Sequence, residues 1–148
     1  MLIVSCAAVN KKELSRKKRS SEISLHTQEW NKETDSLNLN MHISLPLNHF
    51  VFTKQKDYFM SEVIFTLVIS DIEKNTQLFR ETWKEVISEL YYESTRDLDN
   101  YFKTEKNIAL MTGKYNLFLN VQDVDSRKNW KVVKEIELNK VNHLSPPL

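Results

Sequence analysis

Leu110-Met-Thr-Gly-Lys-Tyr-Asn-Leu-Phe-Leu-Asn-Val-Gln-Asp123 is the stretch whose reading decides the fold. Tyr115, Leu117, Leu119 and Val121 fall on one side of an extended chain. Asn116, Asn120 and Gln122 fall on the other, with Phe118 the exception. Alternation with a period of two marks a strand with one face in a core. Gly113, the one glycine of the chain, stands just before this strand. A turn at that place needs a positive backbone angle, which glycine adopts freely. The order turn, Gly-x-Tyr, strand is common at the entry to the penultimate strand of immunoglobulin-like sandwiches. There the tyrosine folds its ring inward and its hydroxyl bonds back to the corner before it. Tyr115 is either such a corner tyrosine or a plain core aromatic, and neither role implies chemistry.

The neighbouring segments carry the same period. Leu37, Leu39, Met41, Ile43 and Leu45 alternate with Asn38, Asn40, His42 and Ser44, and Pro46 ends the run because it cannot donate to a ladder. Phe50 to Phe52 begins a short second strand, followed by a turn at residues 54–57. Residues 58–71 read as a long strand with Val63, Phe65, Leu67 and Ile69 on one face. Its other face carries Glu62, Ile64, Thr66, Val68 and Ser70 and is only half polar, which fits a sheet interior better than an edge. Residues 106–110 form a short strand leading to Gly113. After the central strand, residues 123–129 make a polar hairpin loop. Trp130, Val132, Ile136 and Leu138 then mark a last strand, antiparallel to the central one. Two segments pull toward helix. Residues 24–32, with Leu25 and Trp30, read as a short helix entering the body. In residues 76–92, Phe79, Trp83, Val86, Ile87, Leu90 and Tyr91 sit at helical spacing, whereas a strand would place Glu81 and Glu85 beside Phe79, Trp83 and Ile87. The whole pattern predicts an all-β, immunoglobulin-like antiparallel sandwich over residues 33–142, a basic leader over 1–32 and a tail over 143–148.

Composition sets limits. A chain of 148 residues holds one domain with tails and can bury a real core without disulfides. Net charge is +1, but residues 1–32 carry net +4 and the remainder net −3, so a basic leader precedes a mildly acidic body. That balance gives no dominant nucleic-acid footprint. The single cysteine, Cys6, excludes an internal disulfide and a cysteine-built zinc site. One glycine in the whole chain excludes glycine-rich phosphate loops.

The chain opens Met1-Leu-Ile-Val-Ser-Cys-Ala-Ala8. Ile3-Val-Ser-Cys6 is similar to a bacterial lipobox, in which a small residue precedes a thiol that takes a diacylglyceryl group. Only four residues precede Ser5, fewer than the ~7–15 apolar residues of a signal peptide. The reading adopted is lipidation at Cys6, with the polar run after Val9 as a tether.

Several features, in order, resemble one family. The alternating first strand runs into Leu45-Pro-Leu-Asn-His-Phe-Val-Phe52. Then come the long apolar strand, Glu81-Thr-Trp-Lys84, Tyr92-Glu-Ser-Thr95, Leu110-Met-Thr-Gly-Lys-Tyr115, and Asp123 closing the central strand. This resembles the amino-terminal β-sandwich of bacterial GWxTD-domain proteins, over roughly residues 36–140. The Gly-Trp-x-Thr-Asp motif itself is absent, since Gly113 is followed by Lys114. The resemblance implies an extracytoplasmic, often lipid-anchored protein and supplies no catalytic residues.

The four histidines share no metal-ligand spacing. Glu93, Asp97 and Asp99 read as a solvated loop rather than an acid–base or calcium site, and Trp83 and Trp130 read as core. No catalytic residue, metal or cofactor is expected. Gly113, Tyr115 and Trp83 are expected to define the fold, and Asp123, Asp125 and Arg127 to contact a partner. The expected function is a non-enzymatic binding or scaffolding module of the bacterial cell envelope, periplasmic or attached to the outer membrane. Its partner would be another envelope protein, its membrane contact the lipid on Cys6, and no specific nucleic acid is expected. The alternative is a soluble intracellular α+β binding protein with residues 76–92 helical and the leader as a nucleic-acid arm.

Overall fold

Each alternating segment becomes a strand, because period-two burial is satisfied only where a sheet covers one face. The computed structural model describes residues 22–139 and 143–145. Cys6 and the rest of the leader up to residue 21 lie outside them. In chain order the elements are β1 (Glu22–Asn31), β2 (Ser36–Pro46), β3 (Thr53–Lys54), β4 (Phe59–Asp71) and β5 (Thr76–Glu89). They continue with one short helix, α1 (Tyr92–Arg96), then β6 (Tyr101–Leu110), β7 (Gly113–Asp123), β8 (Asn129–Asn139) and β9 (His143–Ser145).

Two antiparallel sheets form. The smaller has the order β1-β2-β6, and the larger runs β5-β4-β7-β8-β9 with β3 on the start of β4. The chain lays down β1 and β2, crosses to β4 and β5, returns for β6, then crosses again to β7 and β8. That is the order of an immunoglobulin-like sandwich. β7 pairs with both β4 and β8, and β4 is interior as its half-apolar second face predicts. The inner faces interlock as Leu37, Leu39, Phe65, Leu67, Leu117 and Leu119, all fully buried. Each such side chain contributes about 1.5–3 kcal/mol.

Four sequence expectations need correction. Residues 24–31 are not a helix: they belong to β1, so the sheet takes in residues ahead of 33. The register of β1 on β2 shifts between Thr27 and Trp30. This irregularity breaks the two-residue period that would have announced a strand. Residues 76–92, helical by periodicity alone, are strand from Thr76 to Glu89, so the helix of the α+β alternative does not form there. The segment is the 14-residue strand β5, paired with β4 from Thr76 to Glu89 with one register shift, at Leu78. Phe50 to Phe52 does not open a strand. The chain makes a single 3₁₀ turn at Leu47–His49, and the strand is Thr53–Lys54. Finally, His143–Ser145 is not tail but β9, paired with β8.

Both flanks of the sandwich are closed by lysines that cross between sheets. Lys134 of β8 donates to the Ile23 carbonyl of β1 at 3.2 Å. Lys106 of β6 donates to Glu81 of β5. Each lysine lays its aliphatic stem along the core and delivers its charge at the margin.

Candidate functional site

The corner at Gly113 is built as an immunoglobulin-like corner. The Tyr115 ring is buried and its hydroxyl donates to the Met111 carbonyl at 2.8 Å. Burial, and then the charge of Asp71, hold the phenol above its ordinary value of 10.0, so it stays a donor. Gly113 has φ +155°, and a Cβ there would meet the Tyr115 hydroxyl at 3.3 Å. The corner therefore fixes where Met111 stands.

Trp83 lies on the inner face of β5, stacked on Phe65 with ring centroids 5.1 Å apart. Its indole N–H donates to Glu85 Oε1 at 3.0 Å, and Thr104 Oγ1 of β6 donates to the same oxygen at 2.8 Å. The Lys106 ammonium sits 4.8 Å from the Trp83 ring centroid while bonding Glu81. A cation over an aromatic face gains about 0.5–1 kcal/mol at exposed sites and more when desolvated. Here is the reason β5 looked helical: its inward face carries two carboxylates, which β6 satisfies from the other sheet. These contacts were missed from sequence. The available signal was the strict alternation Phe79, Glu81, Trp83, Glu85, Ile87, which is strand-like once the glutamates are given partners.

β5 and β6 are both terminal in their sheets and lie on the same flank, so two backbone edges are free there among the described residues. Inward-pointing charge on an edge strand resists indiscriminate pairing, and it occupies the middle of this flank. The two ends are different. Toward Gly113, the flank opens as a groove of about 360 Å³ lined by Leu78, Phe79, Ile108, Leu110, Met111 and Tyr115, with Asp71 and Lys74 at its rim. Leu78 is 52% exposed and Met111 58%. Leu78 reaches the groove through a bulge: Ile69 pairs with Phe79 and Ser70 with Gln77, leaving Leu78 as the extra residue. Bulges commonly re-aim a side chain in this way. Toward the other end, Tyr58, Leu90, Tyr91 and Tyr92 are exposed, Leu90 at 69% and Tyr91 at 68%. Tyr58 and Leu90 share a shallow pocket, and Tyr92 lies against Phe59 with centroids 5.6 Å apart and under Arg96.

The β7–β8 loop is divided. Asp125 and Arg127 are exposed. Asp123 is fully buried and its carboxylate is used inside the chain. Oδ2 accepts from the Val51 N–H at 2.7 Å and from Ser126 Oγ at 3.0 Å, and Oδ1 accepts from the Asp125 N–H at 3.1 Å. Of the three loop residues expected to meet a partner, Asp123 is thus committed inside the chain, and only Asp125 and Arg127 are exposed. Arg127 has φ +62°, held there as its N–H bonds the Asp123 carbonyl at 2.8 Å.

Among the described residues no three His, Cys, Asp or Glu side chains gather as metal ligands. His42 Nδ1 lies 3.1 Å from Glu105 on the outer face of the smaller sheet. His49 stacks on Trp130 at 5.4 Å, and burial lowers its pKa below the ordinary 6.5. Trp130 also meets Phe50 edge-on, so it serves the core as expected. Glu93 sits in α1, and Asp97 Oδ1 accepts the Asp99 N–H at 2.9 Å in the loop after it.

No family model matches this chain. No curated protein matches it. A solved structure described as the X-ray structure of Northeast Structural Genomics Consortium target SoR45 is similar over 78% of this chain and 81% of its own, at 9% identity and a TM-score of 0.45.

Proposed function

We propose that the chain is a non-enzymatic protein-binding module of the cell envelope, held at a membrane through a lipid on Cys6. The observation that carries the binding reading is the β5–β6 flank. Two strand edges, free among the described residues, run side by side there, with Leu78 and Met111 exposed at one end and Tyr58, Leu90, Tyr91 and Tyr92 at the other. Free edges offer main-chain hydrogen bonds to an added strand, and exposed Tyr and Met are residue types enriched where proteins meet. The lipobox-like start and the resemblance to GWxTD-domain proteins support the envelope placement. The Asp125–Arg127 loop is a secondary contact.

Photo-crosslinking in the native cell tests the binding reading. A benzoylphenylalanine is placed in turn at Leu78, Tyr91 and Val133, the last on the outer face of the larger sheet. Discrete adducts from Leu78 or Tyr91, with none from Val133, are the expected result. Equal labelling from all three positions, or none from any, refutes it. Mass spectrometry of the native protein beside a Cys6→Ala variant tests the anchor: a mature chain beginning at a lipidated Cys6 is expected, and an unmodified Cys6 overturns it.

A further inference from the structure

From the geometry of this flank, and resting on the protein-binding reading above, we infer that the partner is an extended peptide segment that adds to β6 as a fourth strand of the smaller sheet. The smaller sheet has three strands against five strands in the main order of the larger. β1 reaches β8 through Lys134, and β6 reaches both β4, through Phe102 and Phe65, and β5, through Thr104 and Lys106. The next strand position beside β6 therefore lies along the inner margin of β5. There Phe79 and Trp83 are only half-buried and Leu78 is turned inward by its bulge. An added strand would cover these side chains and satisfy the free backbone of β6 in one step.

The margin also states what the segment must carry. Counted along the inner face of β6, Leu110 and Ile108 border the apolar groove, Lys106 meets Glu81 and Thr104 meets Glu85. Two carboxylates face one ammonium on this margin, which leaves it one negative charge in excess. In a strand antiparallel to β6, the residues opposite Leu110 and Ile108 are apolar and two apart. The residue opposite Thr104 comes four later, faces Glu85, and is lysine or arginine. The position opposite Lys106 is not basic, since like charges directly across a ladder repel. The partner motif is therefore apolar-x-apolar-x-x-x-basic. The rim at Tyr58 and Tyr91 lies beyond this register and forms no part of it.

The test uses the full chain, ¹⁵N-labelled and kept reduced, titrated with the capped peptide Thr-Thr-Val-Thr-Val-Thr-Thr-Thr-Lys-Thr-Thr. Saturable shifts are expected at the amides of β6 and of Leu78 and Phe79. Binding should be weaker by about tenfold when the peptide lysine is replaced by glutamate, and by a similar factor in Leu78→Asp. Leu78 is half exposed, so that variant should fold; its unperturbed remaining spectrum verifies this. No shifts at millimolar peptide overturn the inference, as do equal affinity for the lysine and glutamate peptides or shifts confined to the outer faces. Concentration-dependent shifts at these same amides without peptide also overturn it, since a second copy of the chain would then take the place. None of these results depends on the crosslinks from Leu78 and Tyr91, so the strand-addition inference and the broader binding reading fail separately.

Discussion

Asp123→Asn is the substitution that tests most sharply how the upper end of the sandwich is held. Asn has the shape of Asp but one acceptor fewer. Both Asp123 oxygens accept from backbone N–H groups, Oδ2 from Val51 and Oδ1 from Asp125. Whichever way the amide is turned, its NH₂ faces an N–H donor. The variant therefore loses one charged acceptor outright and weakens the remaining contacts to neutral ones. Hydrogen bonds to a charged group contribute about 1.5–3 kcal/mol each, and a buried donor left without an acceptor costs about 1–3 kcal/mol. The expected loss is about 3 kcal/mol, which for a domain of this size is a fall in Tm of roughly 10 °C. Urea unfolding followed by tryptophan fluorescence measures it, helped by Trp130, which stacks on His49 and meets Phe50 edge-on near this loop. Asp125→Asn, at an exposed side chain, is the control and should stay within about 0.5 kcal/mol of the parent. A loss below about 1 kcal/mol in Asp123→Asn, with an unchanged m-value, would refute the claim that this carboxylate ties the β7–β8 loop to the chain at Val51.

Three further outcomes are expected. Tyr115→Phe should cost about 1 kcal/mol through one lost hydrogen bond, and Gly113→Ala about 1–3 kcal/mol through backbone strain; both are read by urea unfolding. Because burial lowers the folded pKa of His49, the unfolded chain binds the proton more readily. Its contribution is therefore present above pH about 6.5 and is lost as pH falls through the lowered folded value. His49→Phe keeps a ring on Trp130 and should flatten that slope in thermal melts at pH 7.5, 6.5 and 5.5. The double variant Glu81→Val, Lys106→Met removes one inward charge from each free edge and leaves Glu85 in place. It should hold stability within about 1 kcal/mol but raise light scattering with concentration, because the edges lose their protection.

The all-β sandwich was legible in the chain wherever burial alternated without interruption. β2, β4 and β7 place Leu37 to Leu45, Val63 to Ile69 and Tyr115 to Val121 on the faces that their sequence period assigns. The period failed at bulges and at charges satisfied from another element. β1 shifts register between Thr27 and Trp30, and β5 has its bulge at Leu78 and turns Glu81 and Glu85 inward. Asp123 was read as a surface acid because Asp123-Val-Asp looks like any polar turn. Nothing local shows that an N–H at Val51, 72 residues away, occupies its oxygen.

By itself the sequence determined the strand faces of β2, β4 and β7, the inward place of Tyr115 behind a turn at Gly113, and the absence of an internal disulfide, because each depends on side-chain period or residue type within a few positions; that Tyr115 closes the corner onto Met111 is seen only in the structure. Only the tertiary structure decided that β5 is an edge strand, that β6 lies against it, and that Lys106, Thr104 and Trp83 make two inward glutamates acceptable. Those facts depend on which strands become neighbours across the two sheets. That choice is made by the total surface buried when the sheets close on one another, and no short stretch of sequence carries it.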